Sequence, residues 1–208
     1  MTEDAKLEAK LTSEDAKLEA TLTVRALLGP DVPQYWQALG SFVDRFTGVE
    51  LNLQTLLWEF AGVPAPTAQA VFKNISINRA MEIVWRVADA QKWPEERKAE
   101  LKPIFDQLKK INNLRNDLLH LGAKFEGEGR WSVSNQLLAY TEKKVRTQQI
   151  TIPNLEAATS DLTAIHSRLT LFAFGAVMAS DTRSSFEAMA KRGWRYEPPP
   201  QSSGTASG

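Results

Sequence analysis

The sequence has no cysteine and only two histidines among its 208 residues. Without cysteine there are no disulfide bonds, thiol nucleophiles, iron–sulfur clusters or the common structural zinc sites. The two histidines, His120 and His166, lie far apart in the sequence, which argues against a histidine-rich metal site. We therefore expect no metal ion and no other cofactor.

The chain also lacks an excess of either charge and any long apolar run. Twenty-five basic and twenty-five acidic residues give a formal net charge of zero, so no overall field attracts nucleic acid or an anionic membrane. The most apolar run, residues 169–179, is too short to span a bilayer, and the acidic N-terminus lacks the apolar core of a signal peptide. These features predict a cytoplasmic protein with no membrane partner.

A duplication occupies the N-terminal region. The segment "EDAKLEAKLT" at 3–12 recurs as "EDAKLEATLT" at 14–23, and the period of eleven residues is close to three helical turns. A helix would align the leucines of both copies, whereas the alternating, β-branched "ATLTVRA" at 20–26 favours a strand. We interpret residues 1–29 as an appendage used in packing or self-association.

Helical periodicity dominates the following residues. Apolar side chains recur every three to four positions over 34–62, which predicts a long amphipathic helix. A second helix is predicted within 66–93, with an interruption near "NISIN". Pro94 fits the first turn of a third segment, and Pro103 is expected to split that segment into a short helix and a main helix from about 103 to 121.

The pattern changes after Gly122. Alternating residues with a glycine-rich opening predict a β-hairpin at about 129–152, and Pro153 is expected to start a final helix over 154–180. Residues 195–208 are rich in Pro, Ser and Gly and are predicted to form a disordered tail. The predicted fold class is therefore all-α: an antiparallel bundle of four to five helices over residues 30–194, with a small β-hairpin insertion before the last helix.

An arginine lies on the apolar face of the predicted main helix. On an ideal helix that begins at Ile104, Arg115 falls about 20° from the origin of the apolar stripe. An unpaired buried guanidinium is costly, so Arg115 needs a partner or must face a cleft. Glu50, which interrupts the apolar face of the first helix, is the candidate structural partner. The apolar stripe comprises Ile104, Leu108, Ile111, Leu118 and Leu119.

His120 follows Arg115 by five residues. Asn116 and His120 form an i,i+4 pair, so Asn116 is positioned to bind one ring nitrogen and select the tautomer. A spacing of five places Arg115 and His120 about 140° apart on a straight helix. Their convergence requires a long reach by the arginine, a distorted last turn or a second chain. We interpret His166, in the last helix, as a packed histidine with its hydrogen bonds satisfied.

The motif "RNDLLH" at 115–120, near the end of a bundle helix and followed by Gly122, resembles the R-x(4–6)-H signature of the HEPN superfamily. The resemblance covers about residues 36–180, and neither the N-terminal duplication nor the β excursion belongs to the family pattern. It implies a small helical bundle that dimerises so that two motifs face each other. Many HEPN proteins are metal-independent endoribonucleases of toxin–antitoxin, abortive-infection and CRISPR systems.

The resemblance assigns catalytic roles to Arg115 and His120, with Asn116 as the polar third member. It implies cleavage of single-stranded RNA to 2′,3′-cyclic phosphate and 5′-OH ends, in a homodimer formed through the Arg115/His120 face. An antitoxin or another protein partner is also implied. Phosphate contacts are expected from Lys109, Lys110 and Lys124, in a region with twelve basic against eight acidic residues (92–146). A solvated helix face explains this local excess equally well.

A second interpretation belongs to a different functional class. Some HEPN proteins are not catalytic and bind RNA, nucleotides or proteins, and in such a helical module "RNDLLH" is structural or a degenerate ligand site. A metal hydrolase built into the bundle is disfavoured because the sequence has no Glu-x-x-His motif.

Overall fold

The computed structural model describes residues 32–121, 123–127, 130–134, 146–199 and 202–203. The predicted appendage at 1–29 lies outside the described residues. The described part is mostly helical, with a small antiparallel sheet. None of its helices is both long and apolar enough to cross a membrane.

Six helices are present in the described part of the chain. The first two are α1 (Val32–Ala61) and the short α2 (Ala65–Phe72), and α3 (Ile77–Ala90) follows after a break. That break matches the interruption predicted near "NISIN": Asn74 has a left-handed φ of 61°, and Ser76 caps α3 by accepting a hydrogen bond from the Arg79 N–H. The remaining helices are α4 (Glu95–Leu121), α5 (Ile152–Phe174) and α6 (Ser180–Ala190).

Pro103 does not split α4, contrary to the sequence-based expectation. The helix runs without interruption through the proline, which faces solvent. A proline ring removes one backbone hydrogen bond. On either side of it the buried side chains of Leu101, Ile104 and Phe105 anchor the helix in the core, and this packing outweighs the local loss.

The final helix is shorter than predicted. Thr151 and Asn154 form a capping box in which each side chain accepts a hydrogen bond from the other's backbone N–H, so α5 begins close to the predicted Pro153. The helix ends at Phe174, and a single 3-10 turn (Gly175–Val177) leads into α6. Helix α6 was not predicted from the sequence.

The β excursion has more than two strands. Strands β1 (Lys124–Gly127), β2 (Arg130–Ser134) and β3 (Arg146–Thr151) pair antiparallel in that order, and the two-residue β4 (Ser202–Ser203) pairs with β3. A single hairpin is therefore an incomplete description. The sheet is attached to the bundle through Trp131, whose indole stacks on the Tyr35 ring at 4.1 Å between centroids.

One hydrophobic core lies among α1, α3, α4 and α5, and the buried face of β2 contributes to it. Helix α1 packs along α5 and α3, while α4 packs on α5 and β2. Helix α6 rests on α5. The packing of α4 on α5 and β2 places Arg115, in the C-terminal half of α4, within reach of the Phe46 ring of α1.

The segment after α6 follows the bundle surface, although the predicted disordered tail begins at residue 195. Tyr196 is buried, and the Asp161 carboxylate accepts hydrogen bonds from the backbone N–H groups of Arg195 and Tyr196. Arg168 donates to the carbonyls of Ala190 and Arg192. The Pro-rich composition of this segment did not predict these hydrogen bonds, because the side chains that form them, Asp161 and Arg168, belong to α5.

Candidate functional site

Arg115 occupies the inward-facing position that the periodicity predicted. Its side chain is partly buried, and its guanidinium carbon lies 5.4 Å from the centroid of the Phe46 ring on α1. An aromatic face attracts a cation, which makes a partly buried arginine tolerable at this position. The apolar face of α4 therefore accommodates Arg115 by placing it on an aromatic ring.

The guanidinium also contacts the residue that follows it. Arg115 donates a hydrogen bond from Nη1 to Oδ1 of Asn116 at 3.2 Å. The amide oxygen of Asn116 is therefore engaged with the arginine, and no hydrogen bond joins Asn116 to His120 within the described ranges. The expectation that Asn116 selects the tautomer of His120 has no support from this arrangement.

Glu50 lies on the same side of α1 as Phe46, one helical turn away. Burial raises the pKa of the Glu50 carboxyl, and the positive charge of Arg115 lowers it by less, so the net shift is upward. Glu50 and Arg115 thus interact electrostatically, yet among the described residues Arg115 forms no ion pair with any carboxylate. The guanidinium charge is only partly compensated.

His120 is exposed in the last turn of α4. The preceding Leu119 was predicted to belong to the apolar stripe, but its side chain is 52% exposed. Ile104, Leu108, Ile111 and Leu118 are buried as expected. The end of α4 therefore presents an exposed imidazole beside an exposed apolar side chain.

Sequence reasoning missed two amides next to this motif. Asn112 is buried and donates a hydrogen bond from Nδ2 to Oδ1 of Asn78, at the start of α3, over 3.3 Å. Asn112 precedes Asn116 by one helical turn and so lies on the same flank, but no spacing within α4 reveals its partner Asn78. Asn112, Asn116 and His120 thus lie along one flank of α4, beside the inward-facing Arg115.

The three lysines predicted to contact phosphate are in different environments. Lys109 is exposed and lies on the helical flank that carries Asn116 and His120, about 16 Å from His120 along the helix axis. Lys110 points to the opposite flank and pairs with Glu197 at 3.0 Å. Lys124 is exposed on β1. Only Lys109 therefore shares the flank of the motif.

Ligand groups for a metal do not gather near this flank. No group of three or more His, Asp or Glu side chains with the arrangement of a metal site occurs in the part of the chain that the structure describes.

Comparisons with known protein families, with curated proteins and with solved structures gave no match. The function of this chain is therefore inferred from the geometry of its side chains.

The raised pKa of Glu50 leads to a pH-dependent prediction for stability. Because the folded pKa lies above the unfolded value, Glu50 favours folding when protonated, and this advantage is lost as the pH rises through the folded pKa. As the pH rises through the folded pKa of Glu50, we expect the unfolding free energy of Glu50→Gln to increase relative to that of wild type. This gain should persist up to pH 8. The effect should be small, because the side chain is only partly buried and water screens its charge.

Urea unfolding of both proteins between pH 4 and pH 8 measures this difference. Glu59→Gln, which removes an exposed carboxylate from the same helix, controls for the change in net charge. A Glu50→Gln protein that becomes less stable than wild type as the pH rises would show that the attraction to Arg115 outweighs burial.

Proposed function

We propose that this chain is a metal-independent endoribonuclease of the HEPN type that cleaves single-stranded RNA as a homodimer. The observation that carries the proposal is the combination at the end of α4: an arginine without a carboxylate ion pair among the described residues, and an exposed histidine five residues further along the helix. In RNA cleavage by the 2′-hydroxyl, a histidine can act as general base or general acid, and an arginine can stabilise the charge on the phosphorane. The fold assignment to HEPN is part of this proposal.

The chemistry needs two proton transfers and one stabilised anion. One His120 removes the proton of the 2′-hydroxyl as its oxygen forms a bond to phosphorus, while the bond from phosphorus to the 5′-oxygen breaks. A second, protonated His120 donates its proton to that leaving oxygen. Arg115, as a permanently charged planar group, stabilises the charge on the phosphorane. The products carry 2′,3′-cyclic phosphate and 5′-OH ends.

A dimer supplies the second histidine, because each chain has only one at this site. Leu119 supports an interface here, since a large apolar side chain lies half in solvent directly beside His120. On α1, Val43 is also exposed, and it lies one turn before Phe46, whose ring contacts the Arg115 guanidinium. Two copies that meet through these side chains would bring both motifs to a shared cleft.

Cleavage of a labelled single-stranded RNA in excess EDTA tests the proposal. We expect His120→Ala to lower the cleavage rate at least about 100-fold, because it removes the proton-transfer group. Arg115→Ala and Arg115→Lys should also be strongly impaired, since lysine keeps the charge but not the planar fork. Lys102→Ala, an exposed position on α4 about 27 Å from His120, is the matched control.

Product ends and thermal stability decide how the assay is interpreted. Cyclic-phosphate ends from wild type, lost in variants that unfold at the wild-type temperature, would support the nuclease. Leu119→Glu should give a monomer in sedimentation analysis and lose cleavage. A monomer that still cleaves would contradict the proposed dimer but not the proposed nuclease activity.

A non-catalytic helical module is the second candidate, and the packing of Arg115 on Phe46 favours it. In that case Arg115 is structural and His120 has no chemical role. Absence of cleavage across varied RNAs, together with marked destabilisation by Arg115→Ala, would contradict the nuclease and support this module.

A further inference from the structure

A cavity of about 430 Å³ lies on the other side of α1 from Arg115, between α1 and α6 and above α5. Gly48 and Leu51 of α1 line one wall, and Phe186 and Met189 of α6 line the other. Small-molecule sites in proteins occupy about 300–1,000 Å³, so this cavity is large enough for a ligand of two or three rings.

The floor of the cavity includes the second histidine, His166. Its Nδ1 lies 3.3 Å from Nδ2 of Asn52, and the ring also forms a hydrogen bond with the backbone of Gly48. Burial lowers the pKa of His166 by more than the hydrogen bond to the Gly48 backbone raises it, and the charge of Arg45 lowers it further, so the neutral ring is favoured. The two N–H groups of Asn52 lie closer to the His166 carbonyl (2.9 Å) and the Thr170 hydroxyl (2.8 Å) than to Nδ1, so the Gly48 backbone is the main partner of the ring. The imidazole contributes its aromatic face to the cavity.

Phe186 extends this aromatic surface. Its ring and the His166 imidazole are stacked with an angle of 28° between their planes and 6.3 Å between centroids. Leu51, Leu162 and Met189 complete an apolar lining. A flat aromatic ligand matches such a surface better than a sugar or a flexible chain does, because ring faces and thioethers pack well on aromatic planes.

The polar groups of the cavity differ in what they can bind. The hydroxyls of Thr47 and Thr163 each donate to a helical carbonyl one turn earlier, at 3.0 and 3.1 Å, so toward the cavity they can only accept hydrogen bonds. At the rim, Arg45 supplies a cation that forms no ion pair among the described residues, and the neighbouring Asp44 supplies a carboxylate. A matching ligand has one anionic group for Arg45 and one hydrogen-bond donor for the acceptors.

We propose that this cavity binds a planar aromatic carboxylate that also carries a hydroxyl or amino group. The aromatic part lies on Phe186 and His166, the carboxylate pairs with Arg45, and the donor group meets the threonine hydroxyls or Asp44. The site lies on the opposite flank of α1 from the Arg115 motif, and it is independent of the proposed nuclease activity.

Gly48 provides a variant that fills the cavity without disturbing the backbone. A Cβ atom built at this helical position would meet no atom within 4 Å, so Gly48→Leu directs a side chain into open space that is part of the cavity. Gly40 is a matched control on the same helix: its Cβ would also meet nothing within 4 Å, but it does not line the cavity. Both substitutions remove a glycine from a helix interior, which favours folding.

Fluorescence titration with 6-hydroxy-2-naphthoate tests the proposal on the full chain. We expect wild type, Gly40→Leu and Arg115→Gln to bind one molecule per chain, and Gly48→Leu to show no saturable binding. Arg45→Gln should weaken binding at least about tenfold, because it removes a charge-assisted pair. The neutral analogue 6-hydroxymethyl-2-naphthol should bind wild type about as weakly as the carboxylate binds Arg45→Gln.

Two results would overturn the proposal: the absence of saturable binding to wild type, and binding that survives Gly48→Leu. If the binding that survives Gly48→Leu is lost in Arg115→Gln, the ligand occupies the α4 site instead. Equal affinity for the neutral analogue would overturn the role of Arg45 and the requirement for a carboxylate.

Discussion

We expect the Asp161→Ala protein to lose at least about 3 kcal/mol of unfolding free energy. Asp161 is 1% exposed, and its carboxylate accepts hydrogen bonds from Nε2 of Gln107 at 2.7 Å and from the backbone N–H groups of Arg195 and Tyr196 at 2.9 Å. Alanine would leave the buried donors of Gln107 and Tyr196 without this acceptor. Such groups cost about 1–3 kcal/mol each.

Urea denaturation monitored by circular dichroism measures this loss. Asp106→Ala is the matched control, because Asp106 is exposed and its pair with Lys102 lies in solvent, where ion pairs contribute less than about 1 kcal/mol. Asp161→Asn should fall between the two, since its amide keeps one oxygen acceptor but turns an NH₂ group toward a donor. Equal stabilities of Asp161→Ala and Asp106→Ala would mean that the C-terminal segment is not held through Asp161.

The Asp161 contacts also explain how the C-terminal segment stays on the bundle. Gln107 of α4 donates to the carbonyl of Tyr196 as well as to Asp161, and Lys110 of α4 pairs with Glu197. Helix α4 is thereby tied to α5 through residues that follow α6. We expect the loss of Asp161 to loosen the helix that carries the proposed site, and not only the segment itself.

Trp131→Ala is expected to cost about 3–5 kcal/mol, the range for deleting a large buried aromatic side chain. Trp131 is 4% exposed, stacks on Tyr35 and contacts the Phe125 ring at 5.1 Å between centroids. It is the main aromatic connection between the sheet and α1. Its removal should leave a cavity between them and expose the backbone of β2 and β3.

Hydrogen exchange at the amides of Val133 and Ile150 should then accelerate more than exchange at the core of α5, such as Leu162. Tyr35→Phe is the control for the same contact, because it keeps the ring stack and removes only the hydroxyl. That hydroxyl is buried and has no hydrogen-bond partner in the described part of the chain, so we expect unchanged stability or a gain of up to about 1 kcal/mol. A clear loss in Tyr35→Phe would show that the hydroxyl has a partner.

Helical periodicity predicted the long helices well because their buried faces follow the helical repeat. The expected helix over 34–62 is α1, and the break near "NISIN" separates α2 from α3. Pro103 shows where a local rule failed: burial of neighbouring apolar residues kept α4 continuous. Helix α6 lies beyond the predicted helix over 154–180 and was not predicted, because it has no buried residue and its apolar pattern is weak.

The candidate site was only partly accessible to sequence reasoning. The inward position of Arg115 followed from helix geometry, and Glu50 was identified from its place on the opposing apolar face. The Phe46 ring beneath the guanidinium and the Asn112–Asn78 bond join different helices, so no spacing within one helix reveals them. Proximity across helices depends on how they pack.

The sequence by itself determined that the chain is mostly helical, that it has no cysteine chemistry and that an arginine lies on an apolar helix face. These properties depend on composition and on a repeat that each helix carries within its own residues. Only the tertiary structure decided that Arg115 rests on Phe46, that Asp161 binds residues 195–196 and that α1, α5 and α6 enclose a cavity beside His166. Each of these arises where side chains distant in sequence meet, and their meeting is set by the packing of the whole core rather than by any local pattern.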